Sequence, residues 1–273
     1  MHRRLAVCGH WIRGRTNHVG LAEVARFVAD APCTWKARRQ ILRVEEHGSY
    51  RAITLRGISS PLYWPKEVDP YHLAMVIGES RYPRDWHFYE VPGMEVGPDD
   101  VVVDCGAAEG LFSLLAAQRG AHVFAIEPLA VWRGALERTF AGMPNVELMP
   151  VALGRAPGQV HMEGGALSSV VSTGSGAGAV SLETIDRLFF ERGLRPTYIK
   201  ADLEGFECEM LTGAEQTIRR WSPRIAITTY HRAHHAEQIT DMLRSFDPRY
   251  QITVRGIEAA TGSPVMLHAR RAG

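Results

Sequence analysis

The sequence predicts an α/β domain with a mainly parallel sheet of seven strands, preceded by an N-terminal extension. From residue 86 onward, short β-branched apolar runs alternate with helix-forming stretches, which is typical of a parallel sheet covered on both faces. Only residues 256–263 separate the last two strand-like runs, so the final strand should be antiparallel. The composition, 45% hydrophobic and 22% charged over 273 residues, is that of a globular protein.

The expected elements follow from these runs. We expect strands near residues 101–104, 121–126, 146–151, 197–202, 224–230, 250–255 and 264–269. We expect helices near residues 110–118, 130–140, 182–191, 207–219 and 235–245. We therefore interpret residues 86–273 as the main domain and residues 1–85 as an N-terminal cap.

The cap has its own pattern. A short amphipathic helix is expected at residues 21–28, and two strands at 40–44 and 50–55 are divided by a turn at 46–49. Tyrosines and one tryptophan then alternate with prolines over residues 61–83, which favours an irregular cover. These aromatic residues either pack the cap against the main domain or line a substrate pocket.

Charge and cysteine usage narrow the class of protein. The formal net charge of +1 gives no electrostatic reason to expect nucleic acid or an anionic membrane as a partner. No apolar run approaches the roughly 20 residues of a membrane span, and the basic start is not followed by a signal-peptide pattern. Four cysteines without C-x-x-C spacing indicate a reduced, cytoplasmic protein. A homodimer is compatible with the sequence but not specified by it.

The first motif is a strand, a tight turn and a helix. A strand at 101–103 is followed by Asp104, Gly106 and Gly110, and then by an apolar helix. The helix start offers unpaired N–H groups to an anionic group. Glu127 ends the next strand, 23 residues after Asp104, where an acid accepts hydrogen bonds from ribose hydroxyls. The pattern predicts a nucleoside cofactor.

The identity of the nucleoside depends on the acid at the strand tip. A dinucleotide turn needs G-x-G-x-x-G, but Asp104 stands where its first glycine should be. A carboxylate there repels a pyrophosphate and suits an ammonium group or another cation. S-adenosylmethionine (SAM), which has an amino group and a sulfonium and no phosphate, fits this turn. The alternative is an ordinary βα turn of an α/β enzyme.

The second motif is a strand that ends in acids. Lys200 and Asp202 lie on one side of the strand, and Glu204 follows at its carboxyl end. Ligands bind at that edge of open α/β sheets. Buried charges cost several kcal/mol unless they are paired, which favours a functional role. The alternative is a structural Lys200–Asp202 pair with Glu204 facing the dipole of the next helix.

Three histidines follow the strand that ends at residue 230. We expect His234 and His235 to be exposed residues at a helix start, whereas His231 directly ends the strand and is a candidate base or ligand on the substrate side. With a pKa near 6.5, histidine is neutral at pH 7 and accepts a proton. Asp202, Glu204 and His231 could also hold magnesium or manganese, since hard oxygen ligands prevail. The alternative is proton removal without an ion.

Residues 164–179 consist almost entirely of glycine, alanine, serine and valine. Because glycine loses the most backbone freedom on ordering, no packed element is expected here. The segment is either a surface loop or a lid that closes over substrate and cofactor.

Together the motifs resemble the FkbM family of SAM-dependent methyltransferases over roughly residues 86 to 255. The first block matches a family pattern at Asp104, Gly106, Ala107, Gly110 and Glu127-Pro128. The second block matches at Lys200, Asp202, Glu204, Gly205, Glu207, Leu211, Gly213 and Ala214. Residues 151–154 and 181–186 also look like family segments. The chain departs from the family at Ala108, where asparagine is common.

The resemblance implies a class I methyltransferase, Rossmann-like fold, SAM as cofactor, and O-methylation of a hydroxyl on a small natural product or sugar. The expected cofactor-binding residues are Asp104, Gly106, Ala107, Glu109, Gly110, Glu127, Pro128 and Ala152. The expected catalytic residues are Asp202, Glu204 and His231, with Lys200 steadying the acids. The alternatives are an N-methyltransferase, a nicotinamide-dependent oxidoreductase, and a non-catalytic nucleoside-binding protein.

Overall fold

The structure is a computed structural model that describes residues 2–165, 168–173 and 179–271. Within these residues the strands are β1 (Ile41–His47), β2 (Tyr50–Leu55), β3 (Leu62–Pro65), β4 (Val101–Cys105), β5 (His122–Ile126), β6 (Val146–Met149), β7 (Ala152–Leu153), β8 (Gly158–Gly165), β9 (Ser168–Thr173), β10 (Val180–Glu183), β11 (Tyr198–Ala201), β12 (Arg224–Thr228), β13 (Tyr250–Arg255) and β14 (Met266–Arg271). The α-helices are α1 (His2–Ile12), α2 (Leu21–Ala29), α3 (Cys33–Arg38), α4 (Leu73–Arg81), α5 (Leu111–Gln118), α6 (Ala130–Thr139), α7 (Glu207–Thr212), α8 (Glu215–Trp221) and α9 (His235–Phe246). A 3₁₀ turn at Pro70–His72 precedes α4, and a π-helical turn forms at Asp186–Phe190.

The central sheet has seven strands in the order β13-β14-β12-β11-β4-β5-β6. Neighbouring strands from β12 to β6 are parallel, whereas β14 is antiparallel to both β12 and β13. The predicted fold class is therefore confirmed, including its late antiparallel strand. The chain order reverses between β4 and β11, so the crevice for a ligand opens at the carboxyl ends of these two strands.

The strands are apolar because both faces of the sheet are covered. In β4, Val103 and Cys105 belong to one buried cluster and Val102 belongs to a second. The N-terminal residues extend this core: Val7 and Val24 join the cluster of Val102. Covering both faces explains why the strand reads as a continuous apolar run rather than an alternating one.

The N-terminal sheet, β1-β2-β3, packs on the helices of the main domain. Trp64 is completely buried and meets Trp132 of α6 edge to face, with ring centroids 5.2 Å apart. Tyr71, in contrast, is exposed. Residues before 86 thus share a core with the rest of the chain, and the division into a cap and a main domain stays a prediction. The helices α1, α3 and α4 and the strand β3 were not predicted.

Two expected helices differ in the structure. The helix predicted at 182–191 is wrong in its first part, because β10 pairs in parallel with β7 (Leu182 opposite Ala152) and only a π-helical turn follows. The helix predicted at 207–219 is divided into α7 and α8 at Gly213. A Cβ atom on Gly213 would lie 2.2 Å from the carbonyl oxygen of Gly154, so only glycine fits at this break between the two helices.

The glycine-rich segment also differs from expectation. Instead of an unstructured loop, β8 and β9 form an antiparallel hairpin, with Val160 opposite Thr173 and Gly165 opposite Ser168. Backbone pairing needs no large side chains, so small residues can form such a ladder. The remainder of the predicted lid, residues 166–167 and 174–178, lies outside the described residues. In the described part of the chain, no helix combines the length and apolar character needed to cross a membrane.

Candidate active site

The turn after β4 is held tightly against its neighbours. Gly106 has a φ of 78°, and a Cβ atom there would lie 2.1 Å from the backbone carbonyl oxygen of Asp202. Only glycine permits this approach. The N–H groups of Gly106 and Ala107 both donate to the carbonyl oxygen of Ile126, at 3.0 Å. Gly110, in contrast, packs against α6, where a Cβ atom would lie 2.7 Å from Leu136.

Glu127 stabilises this turn from the end of β5. Its carboxylate accepts hydrogen bonds from the backbone N–H of Ala108 at 2.9 Å and of Leu129 at 2.8 Å. Burial raises the pKa of Glu127 to about 7. Ala108 has a left-handed backbone (φ 45°), a conformation that asparagine adopts more readily than alanine. Its contact with Glu127 uses only the backbone, so the departure from the family pattern leaves that hydrogen bond intact.

Asp104 is buried behind the turn. Its Oδ1 lies 2.9 Å from Nζ of Lys200, and its Oδ2 accepts a hydrogen bond from the hydroxyl of Ser113 at 2.7 Å. Nζ of Lys200 also donates to the carbonyl oxygen of Gly106 at 2.6 Å. Burial opposes the charge of Lys200, but Asp104 and Asp202 outweigh it and raise the pKa of the lysine. The ion pair therefore joins Lys200 to Asp104, and not to Asp202 as the structural alternative proposed.

A cavity of about 360 Å³ runs from this turn to the acids after β11, within the usual size range of small-molecule sites. The expected cofactor-binding residues that line it are Gly106, Ala107, Glu109, Glu127, Pro128 and Ala152, and the expected catalytic residues that line it are Lys200, Asp202 and Glu204. Asp104 and Gly110 are not among its lining residues, because both are packed behind the turn. Glu109 is nearly buried, and burial raises its pKa to about 7.

Asp202 has a hydrogen-bond donor at each of its carboxylate oxygens. Its Oδ2 accepts a hydrogen bond from the Tyr89 hydroxyl at 3.3 Å, and its Oδ1 accepts one from the Thr228 hydroxyl at 3.2 Å. Burial opposes ionisation, but His87, Lys200 and His231 overcome it and hold the pKa of Asp202 far below its usual range. This group is an anion at any physiological pH.

Glu204 has different properties. Its φ of 51° places a non-glycine residue in the left-handed region, a strain of order 1–3 kcal/mol that clusters at functional sites. Its side chain is 36% exposed, and burial of the remainder raises its pKa, with the nearby carboxylates of Asp202 and Glu207 adding to the effect and His231 opposing it. Among the acids after β11, Glu204 is therefore the one better suited to take up a proton.

His231 is buried beside these acids rather than exposed in the cavity wall. Its Nδ1 lies 2.9 Å from Oε1 of Glu207, which can only accept, so Nδ1 carries the proton. Its Nε2 lies 3.5 Å from Glu204 and 3.7 Å from Asp202. Burial opposes the charged form, but these three carboxylates raise the pKa of His231. The prediction of a neutral, proton-accepting His231 stays a prediction, and the three carboxylates around the ring favour the imidazolium instead.

The two histidines that follow have different positions. His234 is exposed, as predicted, and its Nδ1 lies 2.8 Å from Glu237. His235 is 1% exposed, which contradicts the prediction, because the first turn of α9 packs against α7 with His235 Nδ1 3.6 Å from Oε2 of Glu207.

The N-terminal part of the chain contributes a wall of the cavity that sequence reasoning missed. The residues are His72, Met75, Val76, Glu79, Ser80, His87 and Tyr89. Four of them, at positions 72, 75, 76 and 79, have the spacing of one helix face, which is the signal that could have revealed α4. The aromatic residues Tyr63, Trp64, Tyr71 and Tyr82 are not among the described residues that line the cavity.

A group of potential metal ligands overlaps the predicted set. In the described residues, ligand atoms of Asp202, Glu207 and His231 lie within 4.8 Å of one another. Glu207 replaces Glu204 of the predicted set, but its Oε1 already accepts hydrogen bonds from the Leu203 N–H and from Nδ1 of His231. Nε2 of His231, in contrast, has no hydrogen-bond partner in the described structure and points toward Asp202 and Glu204.

Comparison of the sequence with models of known protein families identifies the family of this chain. The family model described as the methyltransferase FkbM domain matches residues 104–250, more than half of the chain. The chain belongs to the FkbM methyltransferase family. The predicted resemblance is confirmed, and the sheet order is that of class I methyltransferases. A search of curated proteins finds no match.

A solved structure with a TM-score above 0.5 agrees with this fold. The FkbM methyltransferase of Methylobacillus flagellatus KT superposes with a TM-score of 0.52 at 20% identity, covering 92% of this chain and 60% of its own. This chain therefore spans about three fifths of that relative. A SAM-dependent methyltransferase of Agrobacterium tumefaciens matches with a TM-score of 0.44 at 13% identity, covering 83% of this chain and 71% of its own. An rRNA methylase of Streptococcus thermophilus matches with a TM-score of 0.43 at 14% identity, covering 65% of this chain and 90% of its own.

Proposed function

We propose that this FkbM-family chain transfers a methyl group from SAM to a hydroxyl of a small natural product or sugar. The observation that carries the proposal is the continuous cavity, which joins the Gly106–Glu127 turn to Asp202 and Glu204 at the reversal of strand order. A cofactor in the turn and an acceptor at the acids would thus meet in one continuous cavity, as a displacement reaction requires.

The cofactor half of the cavity suits SAM. Glu127 keeps unused acceptor capacity beside its two backbone hydrogen bonds and would accept bonds from the ribose hydroxyls. The acids of the cavity favour the ammonium and sulfonium groups. Gly106 and Ala107 form the nearby turn, and Pro128 and Ala152 continue the wall beyond Glu127. Asp104 would act through Lys200, because it does not line the cavity.

The acceptor half supports proton removal by Glu204. Methyl transfer to an alcohol requires the hydroxyl proton to leave as the new bond forms. Glu204, with its raised pKa and partial exposure, would accept that proton. Asp202, which stays ionised, would orient the acceptor hydroxyl by accepting a hydrogen bond from it. His231, protonated and held by Glu207, would balance the negative charge of both acids.

Three finer points complete the proposal. A divalent ion on Asp202, Glu204 and His231 is the alternative to a protonated His231. It would take the place of the proton on Nε2, which has no hydrogen-bond partner in the described structure, and would lower the pKa of a bound hydroxyl. An amine acceptor is the second candidate, because anionic Asp202 also suits an ammonium group. A cytoplasmic location is proposed from the four unpaired cysteines.

The test begins with calorimetric titration of the full chain with SAM, its product S-adenosylhomocysteine (SAH) and NAD. We expect binding of SAM and SAH and none of NAD; NAD binding would favour an oxidoreductase. A mass-spectrometric screen of hydroxylated and aminated metabolites for the gain of one methyl group then separates O- from N-transfer. Binding of SAM with no methylated product from either class would favour a non-catalytic nucleoside-binding protein.

A further inference from the structure

His87 lies between two carboxylates at the wall that the N-terminal region contributes to the cavity. Its Nδ1 is 3.1 Å from Oε1 of Glu79, and its Nε2 is 3.5 Å from Oδ2 of Asp202. The side chains of all three residues are largely buried, with exposed fractions of 16%, 10% and 22% for Glu79, His87 and Asp202. Glu79 and His87 both precede residue 104, where the family match begins.

We propose that Glu79 and His87 are positioning residues of the active site, which fix the Asp202 carboxylate at the acceptor side of the cavity. This inference rests on the proposed function, because it takes Asp202 to face the acceptor. It extends the active site into residues 72–89, and the expected boundary between residues 85 and 86 would pass through it.

The geometry gives each member a separate task. Glu79 receives Nδ1–H of His87 and so fixes the orientation of the imidazole, as carboxylates commonly do for functional histidines. The opposite nitrogen is thereby directed at Asp202. Tyr230 packs edge-on against the ring of His87, with centroids 5.5 Å apart, and prevents it from turning away. Asp202 therefore lies beside the imidazole of His87 at the N-terminal wall, in an ion-pair contact of 3.5 Å that is not a hydrogen bond, and it accepts a hydrogen bond from Thr228.

Charge balance supports this arrangement. Two buried carboxylates that share one imidazole favour its doubly protonated form, which can serve both of them at once. Burial opposes this charge, but Glu79 and Asp202 outweigh it and raise the pKa of His87 well above its ordinary value. The titratable groups that face His87 are Glu79, Asp85, Tyr89, Asp202, Tyr230 and His268. Burial lowers the pKa of His268 to about 4, so this neighbour is neutral.

The test is an NMR titration of the full chain labelled with ¹⁵N-histidine, with the His87 signals assigned by their loss in His87→Gln. We expect both ring nitrogens of His87 to stay protonated at about pH 7.5. Glu79→Gln and Asp202→Asn should each lower its titration midpoint by at least about one pH unit, as expected for loss of an adjacent charge. The control Glu237→Gln removes an exposed carboxylate beside His234 and should leave His87 unchanged.

A second readout separates this proposal from the cofactor site. Glu79→Gln should bind SAH as tightly as the unaltered chain, because Glu79 acts on the acceptor side. With the acceptor found in the metabolite screen, Glu79→Gln and His87→Gln should each lower kcat/KM by at least about tenfold, because a misplaced Asp202 no longer orients the acceptor. Unchanged kcat and KM in both variants would overturn the proposal, as would a tenfold loss of SAH affinity in Glu79→Gln. Failure of the unaltered chain to bind SAH would instead refute the proposed function, whatever the state of His87.

Discussion

Replacement of Glu127 by alanine tests the cofactor site most directly. In the proposed complex its carboxylate would accept two charge-assisted hydrogen bonds from the ribose, each worth about 1.5–3 kcal/mol. Losing both costs about 3–6 kcal/mol, which corresponds to a decrease in SAH affinity on the order of 10²–10⁴-fold. The same substitution leaves the N–H groups of Ala108 and Leu129 without their acceptor, so the turn loses two hydrogen bonds. The decrease in SAH affinity should therefore lie near the upper end of this range.

The assay is calorimetric titration with SAH at about pH 8, where Glu127 is ionised, since burial places its pKa at about 7. The ionised carboxylate of Glu127 accepts stronger hydrogen bonds than the neutral acid does. The SAH affinity of the unaltered chain should therefore fall by up to about tenfold from pH 8 to pH 6. Glu127→Ala should flatten this dependence, except for the part due to Glu109, whose pKa is also raised to about 7. Glu147→Ala, an exposed acid on the adjacent β6, is the matched control. An unchanged SAH affinity in a folded Glu127→Ala protein would refute the ribose assignment.

Three further results are expected. Asp202→Asn should lower the rate of methyl transfer by about 10²–10⁴-fold and leave SAH affinity unchanged, measured with the acceptor found in the metabolite screen; equal damage to SAH binding would reassign Asp202 to the cofactor. Activity measured after chelation, and again after adding back single metals, tests whether a divalent ion takes part. Full activity of the chelated enzyme would refute a role for the metal and leave Glu204 as the base. Gly106→Ala should lower the free energy of unfolding, measured with urea, by clearly more than the control Gly142→Ala does. Gly142 has a similar φ of 79° but no atom within 4 Å of its Cβ position, so alanine there adds only the left-handed strain of roughly 1–2 kcal/mol. Equal losses would show that the contact with Asp202 is unimportant.

Local patterns predicted the main domain well. The strand at 101–103 with its following turn and helix can be recognised from a few adjacent residues, and a succession of such units implies a parallel sheet. The sheet, its antiparallel strand and the family were therefore predictable. The helix expected at 182–191 was not, because the pairing of Leu182 with Ala152 is a contact between distant segments that overrides local preference.

The site was predictable only in part, for the same reason. Asp202 and Glu204 could be placed at the ligand edge by counting along a strand. The partner of Lys200 could not, because Asp104 lies on a neighbouring strand and competes with Asp202 for the same ammonium group. The protonation of His231 depends on Glu207, which matches the family pattern but whose contact with His231 joins two distant segments and cannot be read from the sequence. His87 showed no signal at all, since its role arises only where α4 meets the sheet.

The contact between Gly106 and the Asp202 carbonyl has a thermodynamic consequence. The two halves of the cavity touch backbone to backbone, so neither turn can shift without moving the other. A ligand that orders the first turn would thereby lower the entropy cost of ordering the second. Linkage makes the effect reciprocal: the factor by which SAH tightens acceptor binding must equal the factor by which the acceptor tightens SAH binding. The two ligands should therefore bind cooperatively, although no residue needs to touch both.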